Sequence, residues 1–177
     1  MNKFAHYIKS LLLIVIIVSM SGCGYQPSSK FSRNILGEKI STSIVISLQD
    51  PENTVIIKDA VDRAIIEVFH ASLVDRASSD THLILAIQST SYTPIQYNTD
   101  GYIVSYRMTV ALSVTKQHNN LSKNYSVSGS YDFSVQPNAV VSDLERFDAI
   151  RRSSKKAIES FISKVSAEGA RKSKVEE

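Results

Sequence analysis

From Lys39 onward the chain alternates. In "KISTSIVISL", Ile40, Ile44, Ile46 and Leu48 take the even positions while Ser41, Ser43 and Ser47 fill most of the others, the period of two expected of a half-buried strand. Asp50-Pro51 marks a helix entry, because Pro fits the first turn and Asp accepts orphan amide hydrogens. The following "TVIIKDAVDRAIIEVFHASL" places Ile57, Val61, Ala64, Ile65 and Val68 on one stripe, with Lys58, Asp62 and Arg63 elsewhere, which predicts an amphipathic helix. Three strand-like runs follow. The first carries Leu83, Leu85 and Ile87 and meets Pro94, which argues for a break, bulge or edge position. After a turn at residues 98–101, "YIVSYRMTVALSVT" sends Tyr102, Val104, Tyr106, Met108, Val110, Leu112 and Val114 one way. Ser105, Arg107, Thr109, Ser113 and Thr115 go the other, so one face is core and one wet or partner-bound. "YSVSGSYDFSV" repeats the pattern beyond a polar loop, and an antiparallel meander follows.

Ser142 and Glu145 have the spacing of a capping box, so a second helix should begin there. Leu144, Phe147, Ile150, Ala157, Ile158, Phe161 and Val165 recur at helical spacing, and after Gly169 the remainder reads as frayed. The order strand-helix-strand-strand-strand-helix predicts an α+β fold: a four-stranded, mostly antiparallel sheet with two helices packed on one face. The folded unit is expected over residues 39–166, with a polar flexible tail over 167–177.

Ahead of that unit stand Lys3 and Lys9, an apolar run at residues 11–18 and then Ser21-Gly22. A basic start, a short apolar middle and small residues are the parts of a secretory signal. A stable membrane span needs about 20 apolar residues, so this run is too short for a permanent anchor. Met20-Ser21-Gly22-Cys23 resembles a bacterial lipobox, with Met where Leu is usual. Cys23 is the only cysteine, and an unpaired thiol is awkward in an oxidising compartment unless it is used. The expectation is a signal peptide over 1–22, lipid attachment at Cys23 and a tether over 23–38.

Cleavage changes the charge balance. Loss of residues 1–22 from the 177 leaves 155 and removes Lys3 and Lys9, so 20 basic side chains become 18 against 17 acidic ones. A net charge of +1 gives no electrostatic case for nucleic acid. With one cysteine, neither an intrachain disulfide nor a thiolate metal cluster is possible. His70, His82 and His118 are not at ligand spacing, no nucleophile elbow or phosphate loop occurs, and no catalytic residue, cofactor or metal site is expected. Tyrosines concentrate on the meander. Tyr106 and Tyr131 are expected inside, whereas Tyr92 and Tyr97, beside Pro94, are the candidate partner contacts.

A lipobox followed by "CGYQ", a short strand, a helix, a meander containing "YRMTVALSV" and "YSVSGSYDFSV", and a capped basic helix resembles the lipopolysaccharide-assembly lipoproteins, LptE. The resemblance covers essentially the whole mature chain. It implies an outer-membrane lipoprotein, on the periplasmic side and inside a barrel lumen, that plugs the β-barrel LptD, supports its assembly and helps deliver lipopolysaccharide. Gly24, rather than Asp, after the cysteine agrees with outer-membrane retention. An anionic glycolipid wants Lys or Arg. Arg107, Lys116 and Lys123 are the candidate lipopolysaccharide-binding residues, ranked ahead of Arg151, Arg152, Lys155 and Lys156 on the second helix, where a basic solvated face is the commoner meaning. The alternatives are a scaffold or pilot lipoprotein of another envelope complex and a lipid-tethered periplasmic hydrolase.

Overall fold

The computed structural model describes residues 35–45, 51–119, 121–137 and 140–173. The expected signal peptide, Cys23 and most of the tether lie outside these residues, as do Ile46, Leu48 and the last four residues.

The elements are β1 (Lys39–Val45), α1 (Pro51–Phe69), β2 (Ser72–Leu73), a 3₁₀ turn (Arg76–Ser78), β3 (Thr81–Tyr97), β4 (Ile103–His118), β5 (Leu121–Ser134) and α2 (Asp143–Ser173). The fold is α+β, with a sheet of five strands rather than four, in the order β2-β1-β3-β4-β5. The sheet is also mixed. β1 pairs in parallel with both β2 and β3, whereas β3-β4 and β4-β5 are antiparallel. The parallel half follows from connectivity: a strand that reaches its neighbour through a helix returns in its original direction, while tight turns reverse the chain. β2 escaped the sequence reading because two residues carry no periodicity.

The α1 stripe is the core stripe: Ile57, Val61, Ala64 and Ile65 are buried against Leu83, Leu85, Val110, Leu112, Ile158 and Phe161. The capping box forms, with the Ser142 N–H donating to Glu145 Oε2 at 3.0 Å and the Glu145 N–H to Ser142 Oγ at 3.3 Å. Leu144 departs from its expected stripe and is exposed. At the 98–101 turn, Gly101 takes φ +83°, and the Asp100 and Tyr102 N–H groups donate to Asn98 Oδ1. Register shifts at Pro94 and Gln96 place the irregularity where the proline calls for one.

Both boundaries differ from those expected. Ile35 and Leu36 are buried, so the chain joins the core before Lys39. α2 runs through Ser173, past the residues read as a frayed tail. A carboxylate on its last turns, Glu168, ties it to β5 and explains the extension.

Candidate functional site

The two faces of the sheet differ in chemistry. The helix-side face carries Met108, Val110, Leu112 and Val114 of β4 with Tyr125 and Val127 of β5, all buried. The opposite face is a field of hydroxyls and amides that bond across strands. Thr109 Oγ1 and Ser130 Oγ are 3.0 Å apart, Ser113 Oγ donates to Asn124 Oδ1 at 2.7 Å, and Ser126 Oγ donates to Gln88 Oε1 at 3.1 Å. Arg107 completes the rows through a two-pronged contact with Asp132, Nε to Oδ1 at 2.7 Å and Nη2 to Oδ2 at 2.8 Å. The Arg107 donors hold the Asp132 carboxyl below its ordinary range.

Register places Lys116 directly opposite Lys123 at the β4-β5 end, so those two candidates do come together. Like charges side by side repel, and Glu168 of α2 offsets this, with Lys123 Nζ 2.7 Å and Tyr125 Oη 2.8 Å from its Oε2. Burial alone would raise the Glu168 carboxyl, but the Lys123 and Tyr125 donors and the nearby Lys116 charge pull it below its ordinary value. Burial, and then the Glu168 bond, push the Tyr125 hydroxyl up. A cavity of about 460 Å³ opens here, lined by Ile35, Lys116, His118, Leu121, Lys123 and Glu168 among others. Arg107 is not part of it: nine residues along an extended strand separate it from Lys116, about 30 Å.

The helix cluster is internally paired. Arg152 Nε lies 2.7 Å from Asp148, Arg151 lies 3.8 Å from the same carboxylate, and Lys155 Nζ is 2.8 Å from Glu67. Arg152 and Lys156 stand over the Tyr131 ring.

Tyr92 and Tyr97 are 49% and 58% exposed, together with Ile95 and Tyr102 on the β3-β4 arm. Tyr92 meets Tyr106 edge-on at 5.5 Å and Tyr106 stacks on Phe133 at 5.9 Å, so three rings link three strands. Tyr106 and Tyr131, expected inside, are only half-buried. The sequence reading missed Glu168 and Tyr125 as a pair, because no local spacing connects residues 43 apart.

A nucleophile-like contact exists between Ser41 and His82, Oγ to Nδ1 at 2.7 Å. Its surroundings are structural. Ser41 is 4% exposed, its hydroxyl also donates to Ser79, and the ring's other nitrogen faces Ser43 rather than a carboxylate. Among the described residues no three His, Cys, Asp or Glu side chains are grouped to hold a metal ion.

Solved structures to which the chain is similar include rare lipoprotein B from Shewanella oneidensis, at 11% identity over 77% of this chain and 94% of that one, TM-score 0.40. A minor lipoprotein from Acinetobacter baumannii matches at 7% identity over 74% and 92%, TM-score 0.45. Lipoprotein B from Nitrosomonas europaea matches at 14% over 75% and 84%, TM-score 0.42. No curated protein sequence matches. The family model described as "LptE: Lipopolysaccharide-assembly" matches residues 42–165, which run from within β1 well into α2. The chain belongs to the lipopolysaccharide-assembly family LptE.

Proposed function

We propose that this protein is an outer-membrane lipoprotein, anchored through Cys23, that plugs and supports an LptD-type β-barrel and assists delivery of lipopolysaccharide to the outer leaflet. Family membership supplies the lipopolysaccharide-assembly role. The observation that carries the plug is the outward sheet face. The hydroxyls of Thr109, Ser113, Ser126 and Ser130 are bonded across strands, and Arg107 is closed on Asp132. Such a face can lie against a polar lumen wall with few unpaired groups to desolvate. Purification of the full-length lipidated protein tests this: a barrel protein should be the major partner by mass, and its depletion should lower the assembled barrel. Recovery of an unrelated envelope complex instead would favour the scaffold reading.

Lipid attachment is tested by Cys23→Ala, which should take up no radiolabelled fatty acid; equal incorporation by variant and wild type would refute it. For the glycolipid, Lys116 and Lys123 form the favoured contact, whereas Arg107 is already committed to Asp132. Lys116→Gln/Lys123→Gln should weaken binding of purified lipopolysaccharide more than Arg152→Gln/Lys156→Gln at matched ionic strength, since exposed charge contacts are salt-screened. The reverse order would move the site to the helix.

A further inference from the structure

Among the described residues the sheet ends in two unequal edges. β2 blunts one with 2 residues, whereas β5 leaves 14 along the other. The Val135 N–H donates to the Val104 carbonyl at 3.0 Å and the β4-β5 register runs without a shift, so odd-numbered residues of β5 turn their backbone groups toward β4. Ser126, Ser128 and Ser130 turn theirs outward. α2 runs along this edge and hangs cations over it. Arg152 and Lys156 stand over the Tyr131 ring, and Lys164 Nζ donates to the outward Ser126 carbonyl at 2.6 Å. Arg152 is closed on Asp148 and Lys123 on Glu168, but among the described residues Lys156 and Lys164 have no such partner. Asp132, which feels the Lys156 charge, is held by Arg107. A cavity of about 340 Å³ lined by Tyr131, Asp132 and Lys156 among others opens beside the edge.

We propose that the outer edge of β5 receives an extended acidic segment of another polypeptide, added as a further strand with its carboxylates on Lys156 and Lys164. The proposal does not depend on the plug. Outward N–H and C=O groups supply the pairing that any added strand uses, and the side chains above them choose which strand it is. Lys164 holds the place of the newcomer: a strand N–H takes over the Ser126 carbonyl, and the released ammonium turns to a carboxylate. Spacing agrees. Lys156 and Lys164 are about 12 Å apart along the helix, and carboxylates four positions apart on one face of a strand are about 13 Å apart. A second copy of this chain is the poorer occupant, because two such edges would bring the lysines of both copies to one seam, where like charges repel.

The test titrates the full-length protein in detergent micelles with a synthetic peptide of Val and Thr carrying two Glu residues at that spacing, and follows amide exchange by NMR. Binding should slow exchange at Ser126, Ser128 and Ser130 and leave Val127 and Gly129, already paired to β4, unchanged. Gln for both Glu in the peptide, or Lys156→Gln/Lys164→Gln in the protein, should weaken binding about fivefold, the size of two exposed ion pairs. Ser128→Pro should abolish it, since a proline is tolerated on an edge strand where its missing N–H faced solvent. A peptide with methylated backbone amides should also fail to bind, and this arm stands even if Ser128→Pro unfolds the protein. No binding of the parent peptide, or equal binding of the methylated one, would overturn the proposal. So would slowed exchange at the same three serines on concentrating the protein alone, which would assign the edge to a second copy.

Discussion

Gly129 of β5 lies directly beneath the backbone of α2 at Ser153, so near that a methyl group on its Cα would collide with the Ser153 carbonyl and the Ala157 nitrogen. Ser153 is itself buried and donates to the Met108 carbonyl at 3.1 Å, and Ser154 and Ala157 are buried beside it. Small residues on both elements let helix and sheet approach until backbone meets backbone. Gly129→Ala should therefore cost about 3 kcal/mol, at the upper end of overpacking, because main chain cannot step aside as a side chain can. Urea unfolding would measure it; a loss below about 1 kcal/mol would mean that α2 rides further from the sheet.

Phe161 presents the complementary case, a fully buried ring set edge-on to Tyr125 at 5.3 Å. Phe161→Asp would leave a carboxylate without a partner in the apolar layer and should abolish cooperative unfolding. A sharp thermal transition in that variant would contradict the packing described.

Glu168 predicts a local effect. In Glu168→Gln the charge that draws Lys123 is gone and the Tyr125 bond weakens, so the last turns of α2 should fray. Hydrogen exchange should quicken over residues 166–173 while the middle of the helix stays protected. The global loss should be about 1 kcal/mol at most, since water reaches Lys123 and screens the pair. Unchanged exchange at the helix end would show that Glu168 does not hold it.

His82 sets a pH dependence. Burial, and then the Arg76 charge, hold its imidazole below the ordinary histidine value in the fold. The unfolded chain therefore binds the proton more readily, and stability rises with pH. The contribution is complete above the unfolded value, near about 6.5, and is lost as pH falls through the folded one. His82→Gln should flatten this slope on the acid side of neutrality. An equal slope in the variant would place its origin elsewhere.

The outward face predicts a separation of folding from partnership. Ser128 and Ala111 face each other at its centre, with small side chains and no charge. Ser128→Arg should leave the melting temperature within a few degrees of wild type and reduce recovery of the proposed barrel partner. Full recovery would remove that face from the contact.

The helical stripe of Ile57, Val61, Ala64 and Ile65, the alternation of β4 and the Ser142-Glu145 cap were legible because each is written in local spacing. So was the irregularity at Pro94. The parallel pairing of β1 was not, because nothing in a strand's own residues states the direction of its neighbour. Ser41 looked like a solvent-facing serine by alternation and is instead enclosed by His82 and Ser79, two residues from another part of the chain. At the candidate site, the closeness of Lys116 and Lys123 could be read from the hairpin. The ion pair of Lys123 with Glu168, 45 residues further on, could not.

Asp80 gives the N-terminal entry a mechanical character. Its carboxylate accepts the Glu38 and Lys39 N–H groups at 3.0 and 2.9 Å, and its carbonyl accepts from His118 at 2.7 Å. Tension drawn along the N-terminal segment is thus shared among β1, the head of β3 and the end of β4. β1 pairs with β3 over residues 40–45, so a pull directed along the strand axis loads those pairs in shear and does not peel them one by one. A domain tugged along that axis from this corner yields late and all at once.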